Sequence, residues 1–389
     1  MTTDSRASRP PSLEWSNIAF LTLSPLIGIL GTAVYVYFNG VHPLEPVLFL
    51  TMYVATGMSI TAGYHRYFAH RSYECRPVMK FLYLVFGACA LENSVMRWAS
   101  DHRYHHKFVD SDLDPYNIKR GGFFAHMGWI FYKSDDSRLP AMKDFGSDPL
   151  VLWQEKYYVP IAMFAGFLLP CLIGLSIGRP LGGLLWGGFA RVVFVHHMTF
   201  FINSWAHMFG RQTYSDKDTS RDSWWLAFLT YGEGYHNFHH TFQADYRNGA
   251  RWYQWDPTKW LISLAGFLGL AGRFNRTPTI KILSARLSMD LLRARRKVEW
   301  LPEDVRRRIH DALESHRSRL ERTYARLLRV KESYRRIRSE EMSRSEHVLR
   351  YCRARLKVCE MRFDAEKTRW REILEAAHLR SRTSEAPSF

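Results

Sequence analysis

The sequence predicts an all-α integral membrane protein: four transmembrane helices in two hairpins, a cytoplasmic helical cap, and a long C-terminal helical extension. Three observations lead there. Four apolar stretches are each long enough to cross a bilayer core of about 30 Å at about 1.5 Å per residue. Nine histidines gather between and after those stretches at helix-like spacings. After Gly272 there is no glycine, and between Pro302 and Pro387 no proline, so nothing interrupts a helix there.

The chain has 389 residues, 47% of them hydrophobic and 15% aromatic. Residues 1–16 are a polar segment with Arg6, Arg9, Pro10 and Pro11, and the sequence predicts no secretory signal. The spans are expected at 17–38, 43–63, 157–177 and 181–201, inside a membrane domain covering 17–272. Their connectors, 39–42 and 178–180, are so short that each pair must form a hairpin. Those connectors hold only Arg179, whereas His65 to Lys156 holds thirteen Lys or Arg. The positive-inside rule therefore puts the long loop and both termini in the cytoplasm. Residues 77–97 and 255–271 are apolar but flanked by histidine groups, and are expected as helices lying in the membrane interface.

From Arg273 to the end there are 31 Lys or Arg against 17 Asp or Glu, so this part carries almost all of the net charge of +17. Leu313, Leu320, Leu327 and Tyr334 repeat every seven residues. Leu349, Cys352, Leu356, Cys359 and Phe363 follow a 3-4-3-4 pattern. Residues 273–389 therefore read as a charged helix or helical pair. Its charges suit a solvated face, anionic lipid or an acidic protein.

The five cysteines show no C-x-x-C spacing, which excludes a disulfide framework, a zinc ribbon and an iron–sulfur cluster. Any metal must be carried by histidine. The groups are His65 and His70, then His102, His105 and His106, then His207, then His236, His239 and His240. In two groups the spacing is i, i+3, i+4, which places three imidazoles on one helix face. Nine are too many for one ion. Two structural zinc sites would take eight and leave no reactive position. Two irons at higher coordination can use nine nitrogens and keep room for water or oxygen. Such a pair in an apolar chain points to oxygen-dependent attack on a lipid. Asn203 precedes His207 by about one helical turn and is placed to reach a metal directly or through water. Asp101, Asp110, Asp112, Asp114 and Glu233 are candidates to accept the other ring N–H of bound histidines. His196 and His197 lie within the fourth span, too far along it from His207 to share its metal, and invite a role as polar contacts in a tunnel. His126 is read as structural.

These motifs resemble those of the membrane fatty acid desaturases, and most of all the stearoyl-CoA, or acyl-CoA delta-9, type. HRYFAHRSYE from His65 is similar to the first histidine box of that family. DHRYHHKF from Asp101, DPYN from Asp114 and RGGFFAHMGW from Arg120 resemble the second. NSWAH from Asn203 and GEGYHNFHHTFQADYRNG from Gly232 resemble the rest. The likeness runs from about Asn17 to Leu270. It implies four transmembrane helices under a cytoplasmic cap, and two Fe ions (Fe2+/Fe3+) held by His65, His70, His102, His105, His106, His207, His236, His239 and His240. It implies that Asn203 holds a water on one iron, and that Asn93, Trp98, Asp101, Lys133 and Phe200 contact the substrate. Ser100 stands where animal members have an arginine for the coenzyme A phosphates. Lys119, Arg120 or Lys133 is the expected substitute.

The activity implied is oxygen-dependent removal of two hydrogens from a long fatty acyl-CoA at the delta-9 position, giving a cis double bond. An acyl lipid or acyl carrier protein is the alternative carrier. No GxGxxG fingerprint, haem-attachment motif or fused cytochrome b5 signature is present, so electrons are expected from a ferredoxin, a cytochrome b5 or a flavin reductase. The basic tail is a candidate dock for that partner. O2 and membrane lipid complete the expected partners, and nucleic acid is not among them. The compact length, the tail and the lack of a fused haem domain fit a bacterial inner membrane, with a eukaryotic endoplasmic reticulum as the alternative. A membrane di-iron hydroxylase is the alternative enzyme, although hydroxylases of that kind carry Glu in their boxes. A non-catalytic metal-binding scaffold is the alternative of a different class.

Overall fold

A computed structural model of the chain describes residues 12–133, 145–339 and 346–383. The polar segment expected at 1–16 falls outside these residues as far as residue 11. Both chain ends, and with them the expectation for their side of the membrane, also fall outside. The described residues are helical apart from loops and one two-residue strand pair, Glu74–Cys75 against Ala271–Gly272.

Four helices are long and apolar enough to cross a membrane: α1 (Trp15–Asn39), α2 (Leu44–Ala69), α5 (Pro149–Leu175) and α6 (Pro180–Met208). Between the hairpins lie α3 (Pro77–Ala88) and α4 (Val95–Phe108). After them come the short α7 (Trp224–Leu229) and α8 (His236–Thr241), then α9 (Pro257–Phe267). The chain divides into two compact units: one ends at Arg276, and the other begins at Thr277 and takes in the short stretch Thr213–Ser215.

The two hairpin turns are tied together by one arginine. Arg179 donates through Nε to Glu45 Oε1 at 2.8 Å and through a guanidinium nitrogen to Gly40 O at 2.8 Å, while Tyr35 OH donates to the same carboxylate at 2.8 Å. Glu45 is buried, and both partners satisfy its carboxyl group.

Two spans run further than hydropathy indicates. α2 continues six residues past 63, carrying His65 into the helix, and α6 continues to Met208 with a break at Ser204. Hydropathy loses both ends because histidines and asparagine replace apolar residues there. α5 starts at Pro149, eight residues before the expected 157, because Asp148 accepts from the amides of Leu150 and Val151 and caps it. The interfacial helix expected at 77–97 is corrected: it ends at Ala88, and a new helix begins at Val95. Leu91 and Asn93 adopt positive φ, which breaks the helix, and Ser94 accepts from the Arg97 amide to start the next one.

α3 packs on α2 near the first histidines. A Cβ at Gly63 would lie 2.6 Å from Tyr83 Cβ, so only glycine allows this approach. The core beside it contains Ile60, Tyr64, Phe68, Leu84, Val95, Val195 and Ile262.

The second unit holds α10 (Thr279–Lys297), α11 (Glu303–Ser339) and α12 (Glu346–Thr383). Leu313, Leu320 and Leu327 are buried, as the sevenfold repeat requires, and Cys359 is buried on α12. Tyr324 and Phe363 pack as a tilted pair with ring centroids 4.8 Å apart, joining α11 to α12. A third helix completes the core through Leu287, Leu291 and Ala294.

Candidate metal centre

The first pair of histidines comes from the end of α2. In a regular helix, residues five apart point about 140° away from each other. Here the helix widens: the His70 amide donates to His65 O at 3.1 Å, a five-residue step that brings both rings to one side. α4 is then clamped against this end. Arg103 donates to Phe68 O at 2.7 Å and Ala69 O at 2.8 Å, satisfying the last carbonyls of α2 with a positive charge. That contact sets His102 and His106 beside His65 and His70.

The last histidines sit on α8, which is too short to hold itself. Asp222 Oδ1 accepts from the Phe238 amide at 3.0 Å, Asn237 donates to Ser220 O at 3.1 Å, and the Ser223 amide donates to Gly234 O at 2.8 Å. The loop after α6 thus pins α8 to the end of the fourth span, where His207 sits.

All nine histidines fall into two groups. His65, His70, His102, His106 and His239 form one, and His105, His207, His236 and His240 the other; within each, the potential ligand atoms lie within 4.8 Å of one another. Each three-histidine helix is therefore divided between the groups. α4 sends His102 and His106 to the first and His105 to the second, while α8 sends His239 to the first and His236 and His240 to the second.

The rings converge through Nε2. These atoms are 2.8 Å apart for His70 and His102, 2.9 Å for His106 and His239, 3.0 Å for His65 and His239, and 3.1 Å for His207 and His236. Several opposite nitrogens are held from behind. His65 Nδ1 lies 2.9 Å from Glu233, His105 Nδ1 2.8 Å from Asp114, and His207 Nδ1 2.8 Å from the Thr219 hydroxyl, which donates on to Asp110 at 2.7 Å. His240 Nδ1 lies 3.6 Å from Asp218. Such contacts set ring orientation and leave Nε2 as the lone-pair donor.

Burial first, and then neighbouring imidazoles, hold His70, His102, His106, His236 and His239 well below the ordinary histidine value. A neutral imidazole is the ligand form. Burial pushes Glu233 up, but His65 and Arg66 outweigh it and keep the carboxyl below its usual range. Arg66, fully buried, also pairs with Asp256 at 3.0 Å, so Glu233 is part of a closed charge network.

A cavity of about 530 Å3 borders the first group at His102. Asn93, Trp98, Asp101, Lys133 and Phe200 all line it, and so do Asn203, Arg120 and His196. Trp98 stacks on His102, with centroids 5.0 Å apart and planes 20° from parallel. Lys119 and Ser100 do not line it; Lys119 donates to Asp110 O at 2.9 Å, and Ser100 is buried in α4. Asp112 is exposed. His197 pairs with His126 at 3.0 Å, outside both groups.

Four residues of the site escape a reading by sequence. Thr219 and Asp218 sit in a polar loop with no motif of their own, and Tyr116, 3.5 Å from His102 Nδ1, lies in the DPYN stretch, whose sequence gives it no role. Glu92 lines the cavity and accepts from Trp98 Nε1 at 3.1 Å. Its signal is a carboxylate placed beside an apolar stretch.

The described donor set fits a pair of late first-row metals: nine imidazoles in groups of five and four, without a carboxylate among the converging atoms.

Comparison with known proteins agrees with this geometry. Residues 43–271 match the family model described as "Fatty acid desaturase", which covers more than half of the chain. The chain is 39% identical over 293 residues to the "Probable acyl-CoA desaturase" of Schizosaccharomyces pombe, covering 74% of this chain and 61% of that protein. It is 37% identical over 299 residues to "Acyl-CoA desaturase 1" of Saccharomyces cerevisiae, covering 75% and 58%. It is 35% identical over 266 residues to the "sn-1 stearoyl-lipid 9-desaturase" of Anabaena variabilis, covering 68% and 94%. The chain thus spans only about three fifths of the two yeast proteins. Relatives this diverse do not single out a bacterial source. Four membrane-length helices, histidine groups suited to two metals and a match over more than half its length place this chain in the fatty acid desaturase family.

Proposed function

We propose that this chain introduces a cis double bond into a long fatty acyl thioester, using O2 and two electrons supplied by a separate protein. The observation that carries the proposal is the meeting of the five-histidine group with the cavity: His102 belongs to one and lines the other. An acyl chain entering that cavity brings its methylenes to the metal group.

The nine histidines would hold two irons, five imidazoles to one and four to the other, and Asn203, which lines the cavity, would hold a water. Bound there, the metals supply the oxidising power that no side-chain acid or base has for an unactivated C–H bond. The protein supplies position. Phe200, Trp98 and Phe20 give the cavity apolar walls, Asn93 and Asp101 offer polar contacts, and Arg120 and Lys133 offer positive charge to a phosphate-bearing carrier. Arg120 is held over the Phe124 ring at 3.6 Å, which presets its guanidinium. Acyl-CoA is the carrier this charge favours, in place of the arginine that Ser100 lacks. The delta-9 position rests on the named activities of relatives. The four spans put the site at the ends of α2 and α6, the face that the basic loop assigns to the cytoplasm.

Purified, iron-loaded protein supplied with stearoyl-CoA, O2 and a reductase should yield a monounsaturated product with the double bond located by mass spectrometry. A hydroxylated chain would instead support the hydroxylase reading, and neither product would leave a metal-binding scaffold.

A further inference from the structure

A second opening reaches the five-histidine group through other residues. It encloses about 360 Å3, and its lining includes His70, His106, Arg103, Lys107, Gln243 and Ala244. It shares no lining residue with the acyl cavity, whose one contact with the described histidine groups is His102. The two histidines at this opening are also the two that are partly exposed; the other seven are buried. Among the described lining residues the charges besides histidine are those of Arg103 and Lys107, with no carboxylate. Arg103 is committed to the end of α2, while Lys107 is exposed on the rim.

We propose that this opening is the docking site of an acidic one-electron carrier protein, which delivers electrons to the metal pair across the His70–His106 edge. The proposal rests on the desaturase reading, because that reaction consumes electrons from outside. One double bond formed converts two methylenes, O2, two electrons and two protons into an alkene and two waters. The carrier is oxidised by one electron in each of two encounters. Electron transfer weakens steeply with distance, so a carrier must dock where the ligands come nearest the surface. Among the nine histidines that edge is His70 and His106. The positive rim selects an acidic partner and steers its approach. Because the acyl cavity opens through different residues, carrier and substrate do not compete.

The test uses the full chain and a plant-type ferredoxin as probe, with metal-free and iron-loaded protein in parallel. Carbodiimide cross-linking should join Lys107 to a ferredoxin carboxylate, mapped by mass spectrometry. Lys107→Glu should weaken ferredoxin binding roughly tenfold at low salt, an effect that fades as salt rises, while Lys107→Arg binds as the parent does. Iron content, the KM for acyl-CoA and turnover with a small uncharged reductant should stay unchanged in both variants. Unaltered ferredoxin affinity in Lys107→Glu, or cross-links confined to lysines beyond Thr277, would overturn the proposal. Cross-linking at Lys107 in a chain that forms no unsaturated product with the small reductant would sustain the docking site and reject the desaturase reading instead.

Discussion

The five-histidine and four-histidine groups share two helices but differ in what surrounds them. The four-histidine group is buried throughout. Three of its members are backed by Asp114, by Thr219 with Asp110, and by Asp218. The five-histidine group borders the larger cavity at His102 and an outer opening at His70 and His106. Its carboxylate contact among the described residues, Glu233, belongs to a network that also holds Arg66 and Asp256. A metal held by the four buried, braced rings would exchange more slowly than one held by the group that is open on two sides.

The largest effect should come from removing a ligand. His240→Ala leaves three imidazoles in its group, and His239→Ala leaves four in the other. Both should abolish product. Iron analysis should show His240→Ala falling from two irons toward one, with His239→Ala retaining more. Equal retention in the two variants would break the contrast. Full activity with one iron missing would remove the need for two groups at all.

The bracing carboxylates come next. Asp114→Asn should weaken metal binding about 10- to 100-fold, with a smaller loss of metal-free stability than a change at Glu233, because Asp114 faces His105 and the amides of Asp110 and Tyr116 and no arginine among the described contacts. Glu233→Gln removes a partner from the buried Arg66. It should cost about 3–5 kcal/mol of stability as well, seen as a lower Tm of the metal-free chain. Identical Tm values would show that the network around Glu233 is not structural.

A pH effect should sharpen the picture of the cavity side. Burial raises the Glu92 carboxyl to about 7, against hydrogen bonds from Thr199 and Trp98 that lower it. It is neutral below that value and becomes charged as pH rises through it. A charge beside an acyl chain is unfavourable, so the KM for substrate should climb severalfold between about pH 6 and about pH 8. Glu92→Gln should flatten that profile without changing iron content. A flat profile in the parent would mean that Glu92 does not face the chain.

The smallest effect should be that of Arg120→Ala. An exposed charge contributes about 0.2–1 kcal/mol, so the KM for acyl-CoA should rise no more than about fivefold, and less at high salt. No change for an acyl chain without phosphate would identify Arg120 as a carrier contact.

Much of this molecule can be read without coordinates. Spans were visible wherever apolar residues dominate, and they were lost at residues 64–69 and 202–208, where polar side chains occupy helical positions. The heptads of α11 showed which leucines are buried, since a repeat of seven keeps one face inward. Residues 77–97 misled because an unbroken apolar run carries no sign of the positive φ at Leu91 and Asn93. In the site, spacing alone marked all nine histidines. It could not divide them, because residues at i, i+3 and i+4 share one face about 100° wide.

What the amino-acid order determined by itself is therefore local: helix length, amphipathic face and the supply of imidazoles. The division into five and four, the bracing by Thr219 and Asp218, and the two separate openings were decided by tertiary packing. The reason is physical. Each depends on contacts between segments far apart in the chain, such as the Arg103 clamp on α2 and the Asp222 hold on α8, and no periodicity along one segment encodes where another will lie.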